Sequence, residues 1–403
     1  MSDRLHVLHV ASWFPSEVHP SLGNFVERHI DAINTRHDAE VWAPIPVRGS
    51  TGQLHKMRAH NGEEKRTLGE VEWTVHRAYH EATRPQLLGV ARSIAGCAGG
   101  MERTPDLVHL HVAYPAGPAA LAWAKKWKVP VVLTEHWTAY HDPSSLPWWR
   151  RRVVKDVLRN VDACCPVTSD LGRAMTQWGV PQEAIHVVPN VVDTQRFQPA
   201  PMETLSGVPV GQARRKMEGH GVEKLLHVSS MDDGQKNISG LLEALVPTLE
   251  KRPRWTATFV GGETANLGTF QAWVKAKGMG ERIAFTGPLS SEEVAGQMQQ
   301  HDVLMLNSRI ENFPCVLPEA WATGLPVMST DIGGISEHLP KGLGPRGFLL
   351  GTQANAEEWD AAWTQVAGTE WDAKAMRDYA MEHFSVDAVA QAYDQVYRQV
   401  LKA

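Results

Sequence analysis

Short apolar runs alternate with amphipathic stretches along the 403-residue chain. Leu5–Ser12 reads as a buried strand and Phe25–Asn34 as a helix, with further strands over Glu40–Ala43, Val71–Tyr79 and Asp106–Val112. Gly117–Trp127 reads as a helix, Pro130–Thr134 as a strand and Trp148–Arg159 as a helix. Ala163–Thr168 follows as a strand, Ser169–Trp178 as a helix closed by Gly179, and Ile185–Val188 as a last strand. Strands of this kind, separated by helical patterns of about 10–15 residues, predict βαβ units and a parallel sheet covered on both faces.

The rhythm breaks between Phe197 and Gly221, which are rich in Pro, Gly and charge, and this stretch reads as a linker or surface excursion. It then restarts: strands over Leu225–Val228, Thr256–Val260, Arg282–Phe285, Val303–Leu306 and Pro326–Ser329, and helices over Asn237–Glu250, Leu267–Lys277, Ser290–Gln300 and Leu317–Thr323. The final residues carry Val386, Val389, Ala390, Tyr393, Val396, Tyr397 and Val400 at helical spacing, an apolar stripe for a core. The pattern predicts two α/β halves. In doubly wound sheets, ligands bind outside the carboxyl ends of the strands, so two such halves facing each other make a cleft.

Composition narrows the class. With 43% apolar and 21% charged residues the chain can bury sizeable cores. A net charge of -5 argues against a nucleic-acid protein. The four cysteines, with Cys164 and Cys165 adjacent and Cys97 and Cys315 isolated, form neither a disulfide framework nor a zinc spacing. No run of 18 apolar residues predicts a transmembrane helix. The first strand begins too early to leave room for a signal peptide. A cytoplasmic enzyme is the expectation.

The densest chemistry runs from Asn307 to Glu337. Glu311 follows a buried strand, and Glu319 lies eight residues later at the start of a helix headed by Pro318, where unpaired N–H groups and the dipole favour anionic or hydroxylated ligands. Gly333-Gly334 follows the next strand and is expected to open a helix, a phosphate site. Taken one by one, these are also an ordinary first-turn Glu, a loop Glu and a capping glycine. Their combination resembles the E-x7-E signature of the retaining family 4 glycosyltransferases, with that family's "A-x-G-x-P-V" and "G-G-x-x-E" segments. Trp13-Phe14-Pro15, Gly23-Asn24-Phe25-Val26, Asp106 to His111, Thr134-Glu135-His136, Val188 to Asp193 with Phe197, and Val228 to Asn237 match the family's other segments in order.

The resemblance implies a GT-B fold. Two Rossmann-like doubly wound parallel-sheet domains would face each other across a cleft: an acceptor domain over 1–196, a linker over 197–221 and a nucleotide-sugar domain over 222–383. A C-terminal helix over 384–403 would cross back to the first. It implies transfer of a sugar from a nucleotide-diphosphate sugar with retention, to a glycan or lipid-linked glycan in cell-surface polysaccharide synthesis, with no cofactor and no metal. Lys236 would neutralise the leaving diphosphate and Glu319 would hold the ribose. Glu311 and the amides around Asn312 to Cys315 would face the donor sugar, with Asn312, Phe313, Pro314, Cys315 and Val316 counted in the donor site and His136 reaching sugar or acceptor. Ser230, Gly333 and Gly334 would complete the donor site, and Gly23 and Asn24 would let backbone approach the diphosphate. The chain departs from the pattern at Ser229-Ser230, where many members carry "G-R", at Asn312 and at Val191. These departures leave an inactive sugar- or nucleotide-binding subunit as the alternative; a pyridoxal-dependent phosphorylase would need a buried lysine in the second half.

Other features are weaker. His109 and His111, two apart on one strand, are assigned to opposite faces, which would keep them from sharing a metal. His136 and His141, with Glu135 and Asp142, are loosely spaced for ligands. Val10 to Pro15 lacks the G-x-G-x-x-G of a dinucleotide dehydrogenase. Trp148-Trp149-Arg150-Arg151-Arg152 suits a headgroup interface, and so peripheral contact on the cytoplasmic face of a membrane, or a sugar-phosphate acceptor. It equally suits an amphipathic helix with its tryptophans turned inward. Acceptor loops are expected around Pro44–Arg66 and Tyr140–Arg152.

Overall fold

A computed structural model describes residues 4–19, 22–47, 62–68, 71–82, 86–98, 103–200, 221–262 and 264–402. The chain divides into two compact units, Met1–Val191 with Val386–Ala403, and Val192–Ser385. No helix of the described residues is long and apolar enough to cross a membrane.

The first unit is built on seven strands: β1 (His6–Ala11), β2 (Asp38–Val47), β3 (Gly62–Leu68), β4 (Val71–Glu81), β5 (Leu107–His111), β6 (Val131–Glu135) and β7 (Ala163–Pro166), in the order β3-β4-β2-β1-β5-β6-β7. All neighbours are parallel except the β3–β4 hairpin at one edge. β1, β5 and β6 are buried along their whole length, as central strands of a covered parallel sheet should be. Helices α1 (Asn24–Asn34), α2 (Leu87–Ala98), α3 (Gly117–Trp127), α4 (Trp148–Arg159) and α5 (Ser169–Gln177) follow the strands.

The second unit has β8 (Lys224–Val228), β9 (Thr256–Val260), β10 (Ile283–Gly287), β11 (Val303–Leu306), β12 (Val327–Thr330), β13 (Gly342–Gly344) and β14 (Gly347–Leu350), ordered β10-β9-β8-β11-β12-β14-β13. Only the β13–β14 pair is antiparallel. Its helices are α6 (Asp233–Lys236), α7 (Ile238–Lys251), α8 (Thr264–Ala276), α9 (Ser291–Gln300), α10 (Val316–Ala322), α11 (Ala356–Ala367) and α12 (Ala373–Phe384), while α13 (Val386–Val400) belongs to the first unit. There, the Tyr393 hydroxyl of α13 meets His29 Nδ1 of α1 at 2.9 Å, and Arg36, two residues past α1, pairs with Asp387 at 2.7 Å.

Several expectations need correction. Ile185–Val188 is not a strand. It follows β7 through His186 N–H to Cys164 O at 2.8 Å and Val188 N–H to Pro166 O at 3.0 Å, but Pro166 has no N–H to continue a ladder. β3, α2, β13 and β14 were not anticipated as elements. The region read as an acceptor loop over Pro44–Arg66 begins in β2 and ends in β3, with 48–61 outside the described residues. Phe197, placed at the head of the linker, is fully buried in the second unit's core, and residues 201–220 lie outside the described residues. Gly333–Glu337 is a five-residue 3-10 turn, not the start of an α-helix.

Candidate active site

In the second unit, two loops meet beyond the carboxyl ends of β8 and β11. The chain leaves β8 through Ser229 and Ser230 and enters α6, whose N-cap Asp232 accepts from Gln235 N–H at 3.1 Å. Lys236 ends that helix, and its ammonium forms an ion pair with Glu311 in the loop after β11. Both side chains are largely buried, with exposures of 19% for Lys236 and 9% for Glu311. Ser308 also donates to the Glu311 carboxylate, at 2.8 Å. Arg309 stitches the loops together: its N–H donates to Gln235 O at 2.7 Å and its guanidinium to the Asp233 carbonyl. A pair 75 residues apart in sequence is thereby fixed in one geometry.

Beyond Glu311, Asn312, Phe313 and Pro314 are buried, and Phe313 stacks on Phe384 with ring centroids 5.5 Å apart. Cys315 heads α10 without a side-chain cap, and Val316 is its first residue. Glu319 is 4% exposed, one turn into this helix. The glycine pair does different work from that expected. Gly333 has φ +58, and a Cβ there would lie 2.2 Å from the Glu311 carbonyl oxygen and 2.7 Å from that of Asn312. Gly334 donates its N–H to Asn312 O at 2.8 Å, so this N–H is already engaged. The pair lets the β12 turn close onto the Glu311–Asn312 backbone. At the departure from "G-R", the Ser229 hydroxyl accepts from Met231 N–H at 3.0 Å and pairs with His227 Nε2 at 2.8 Å, while Ser230 is exposed. The second unit thus brings together Lys236, Glu311, Asn312, Gly333 and Gly334, with Glu319 on the helix that follows.

The remaining candidates lie in the first unit. Gly23 is the left-handed cap of α1, φ +78, and a Cβ would meet the Trp13 carbonyl at 2.6 Å; Asn24 beside it is exposed. His136, just past β6, packs tilted against Phe25 with centroids 4.3 Å apart and meets His29 edge-on at 5.1 Å. Burial and the neighbouring His29 hold its pKa well below the usual histidine value, so the ring is neutral. Glu135 is not arranged as a ligand. Its buried carboxylate accepts from the N–H groups of Ala113, His136 and Trp137 and from the Tyr140 hydroxyl at 2.7 Å, and burial raises its pKa. His141 lies 3.7 Å from Asp170 and Asp142 caps Ser144, so the loose His136–Asp142 set does not converge.

Behind His136 lies a polar chain that the sequence reading missed. The Tyr397 hydroxyl meets His109 Nδ1 at 2.6 Å, His109 Nε2 meets Thr134 at 2.7 Å, and Thr134 meets the Tyr393 hydroxyl at 2.9 Å. Tyr393 continues to His29, whose Nε2 lies 3.4 Å from Asn190 Oδ1. His109 and His111 share one face, stacked with centroids 4.2 Å apart, which corrects the assignment to opposite faces: strand side chains alternate, so positions two apart point the same way. With His9 they bring ring nitrogens within 4.8 Å of one another. Both nitrogens of His109 are engaged by Tyr397 and Thr134, so ligation by all three would cost those hydrogen bonds.

Residues 63–196 match Glycosyltransferase Family 4, and residues 222–367 match Glycosyl transferases group 1. The chain belongs to this glycosyltransferase family. Among curated relatives it is similar to the MMP alpha-(1->4)-mannosyltransferase of Mycolicibacterium hassiacum, 26% identical over 78% of this chain and 74% of the relative. It is also similar to the putative teichuronic acid biosynthesis glycosyltransferase TuaC of Bacillus subtilis, 24% identical over 82% of each. Among solved structures, HepE of Anabaena in complex with UDP superposes with a TM-score of 0.70 at 19% identity, covering 98% of this chain and all of that one. Sucrose-phosphate synthase of Thermosynechococcus elongatus superposes with a TM-score of 0.74 at 16% identity, covering 99% and 100%. These likenesses and the two parallel-sheet units identify the GT-B fold. The protein is a glycosyltransferase of group 1.

Proposed function

We propose that this glycosyltransferase moves a sugar from a nucleotide-diphosphate sugar, with retention and without a metal, to a glycan or lipid-linked glycan used in cell-surface polysaccharide synthesis. The observation that carries the reading is the largely buried Lys236–Glu311 ion pair, held by Ser308 and Arg309 a few residues before the buried Glu319. An ammonium and two carboxylates placed after parallel strands match the needs of such a donor. Lys236 neutralises charge developing on the leaving diphosphate, which competes with the Glu311 carboxylate for the ammonium. Glu319 accepts from the ribose hydroxyls in charge-assisted hydrogen bonds. Glu311 and the backbone N–H groups around Asn312 to Cys315, Pro314 excepted, face the donor sugar. Ser230 and the Gly333–Gly334 turn border the donor in the second unit. His136, neutral, donates or accepts one hydrogen bond without adding charge.

The likeness to structures holding UDP and UDP-glucose supports uridine diphosphate as the first ligand to test. The experiment is a thermal-shift panel of uridine, guanosine and adenosine diphosphates, followed by transfer assays with and without EDTA. One nucleotide should raise the melting temperature in a concentration-dependent way, since a ligand that binds only the folded state stabilises it by mass action. Transfer should persist in EDTA. No shift with any diphosphate removes the donor reading, and activity restored only by Mg²⁺ or Mn²⁺ removes the metal-free one.

A further inference from the structure

Helix α4 sorts the Trp148–Arg152 cluster onto two faces. Trp149 turns inward, its ring 6.3 Å from Tyr114, and the Arg150 guanidinium lies 4.7 Å over the same Tyr114 ring. Val154, Val157 and Leu158 complete the buried face. Trp148 turns the other way and is 71% exposed. Arg151, Arg152, Lys155 and Arg159 follow it at helical offsets of three, four, seven and eleven, which places all five side chains on one stripe. Among the described residues none of these four cations takes part in an ion pair; Lys155 only approaches the Trp178 ring, at 5.9 Å.

Such an arrangement is locally unfavourable. Arg151–Lys155 and Lys155–Arg159 are like-charged pairs one turn apart, which weaken a helix. Asp156 borders the stripe as an acid, one charge against four cations, and the net positive stripe stands out on a chain of net charge -5. An exposed indole at the N-terminal end of the stripe adds a group that settles at the headgroup level of a bilayer. Basic residues beside an exposed aromatic match an anionic lipid surface in charge and in polarity.

We propose that the Trp148–Arg159 face of α4 docks the protein on an anionic membrane surface. This goes beyond the donor site and uses none of its residues. Flotation with phosphatidylcholine vesicles, with and without phosphatidylglycerol, tests it at low and at physiological salt. The wild-type protein should float with the anionic vesicles only, less so at higher salt, because surface electrostatics are screened. Arg152→Glu/Lys155→Glu should lower the partition coefficient by roughly 10²-fold or more, since two attractive charges become repulsive. Trp148→Ser should weaken binding while keeping its salt dependence. Both variants should keep the wild-type thermal shift with nucleotide diphosphate, which shows that they fold and separates this test from the donor reading. Equal binding to neutral vesicles, or unchanged binding in the charge-reversed variant, overturns the proposal. So does loss of binding on adding inorganic pyrophosphate at constant ionic strength, which would mark a discrete phosphate site instead.

Discussion

At the level of single residues, Lys236 and Glu319 carry the sharpest expectations. Glu319 is buried, so removing its carboxylate takes away charge-assisted hydrogen bonds that contribute on the order of 1.5–3 kcal/mol each. Glu319→Ala should abolish the thermal shift with nucleotide diphosphate; a shift equal to wild type would rule out the ribose role. Lys236→Ala should lower turnover by roughly 10²-fold or more while leaving the fold intact, because a charge acting on the departing diphosphate matters most in the transition state. Ser308 still donates to Glu311 in that variant and Arg309 still binds α6, so the loops keep their geometry. Unchanged turnover in a folded Lys236→Ala protein would remove the lysine from the reaction. Both residues were visible in the sequence through their place in a family pattern. Their mutual ion pair was not: 75 residues separate them, and only the adjacency of β8 and β11 brings their loops together.

At the level of elements, a strand that sequence reading places well is one buried on both faces, such as Val303–Leu306, whose continuous apolar run has one physical explanation. The missed strands are edges. Gly62–Leu68 pairs only with β4 and reads Gly-Glu-Glu-Lys-Arg-Thr-Leu, because an edge strand tolerates charge that a central one does not. The missed polar chain spans four elements of the first unit, α1, β5, β6 and α13, and no local pattern encodes it. Tyr393 is its junction, bridging Thr134 on β6 and His29 on α1 from α13. Tyr393→Phe removes one hydroxyl, takes one of two hydrogen bonds from Thr134 and leaves His29 Nδ1 without this one, so it should cost about 1–3 kcal/mol. Urea unfolding would measure this, and a change within error would mean the hydroxyl is dispensable. Because His29 also meets His136, the same variant should disturb that ring, read as a shifted imidazole resonance.

At the level of the whole molecule, the first unit buries an unusual store of neutral imidazoles. Burial lowers the pKa of His9 to about 3 and of His29 to about 4, and holds His109, His111 and His136 well below the usual value. Each folded-state pKa lies below the unfolded value near 6.5, so between the two the unfolded chain binds protons that the folded one refuses. Stability is therefore full above about pH 6.5 and falls as the pH drops, by about 1.4 kcal/mol per pH unit for each fully depressed ring. With several such rings in one unit the slope is steep against a total stability of roughly 5–15 kcal/mol for a domain. Glu135 opposes this as one group whose raised pKa favours the folded state in acid. The unit should accordingly unfold in mild acid, before most carboxylates titrate. Urea midpoints followed from pH 7.5 to 5 should fall steeply below about pH 6.5, with several protons taken up per chain on unfolding. A flat profile across that window would mean that the rings are already protonated or solvated in the folded state, and the buried-imidazole account of the first unit would then be wrong.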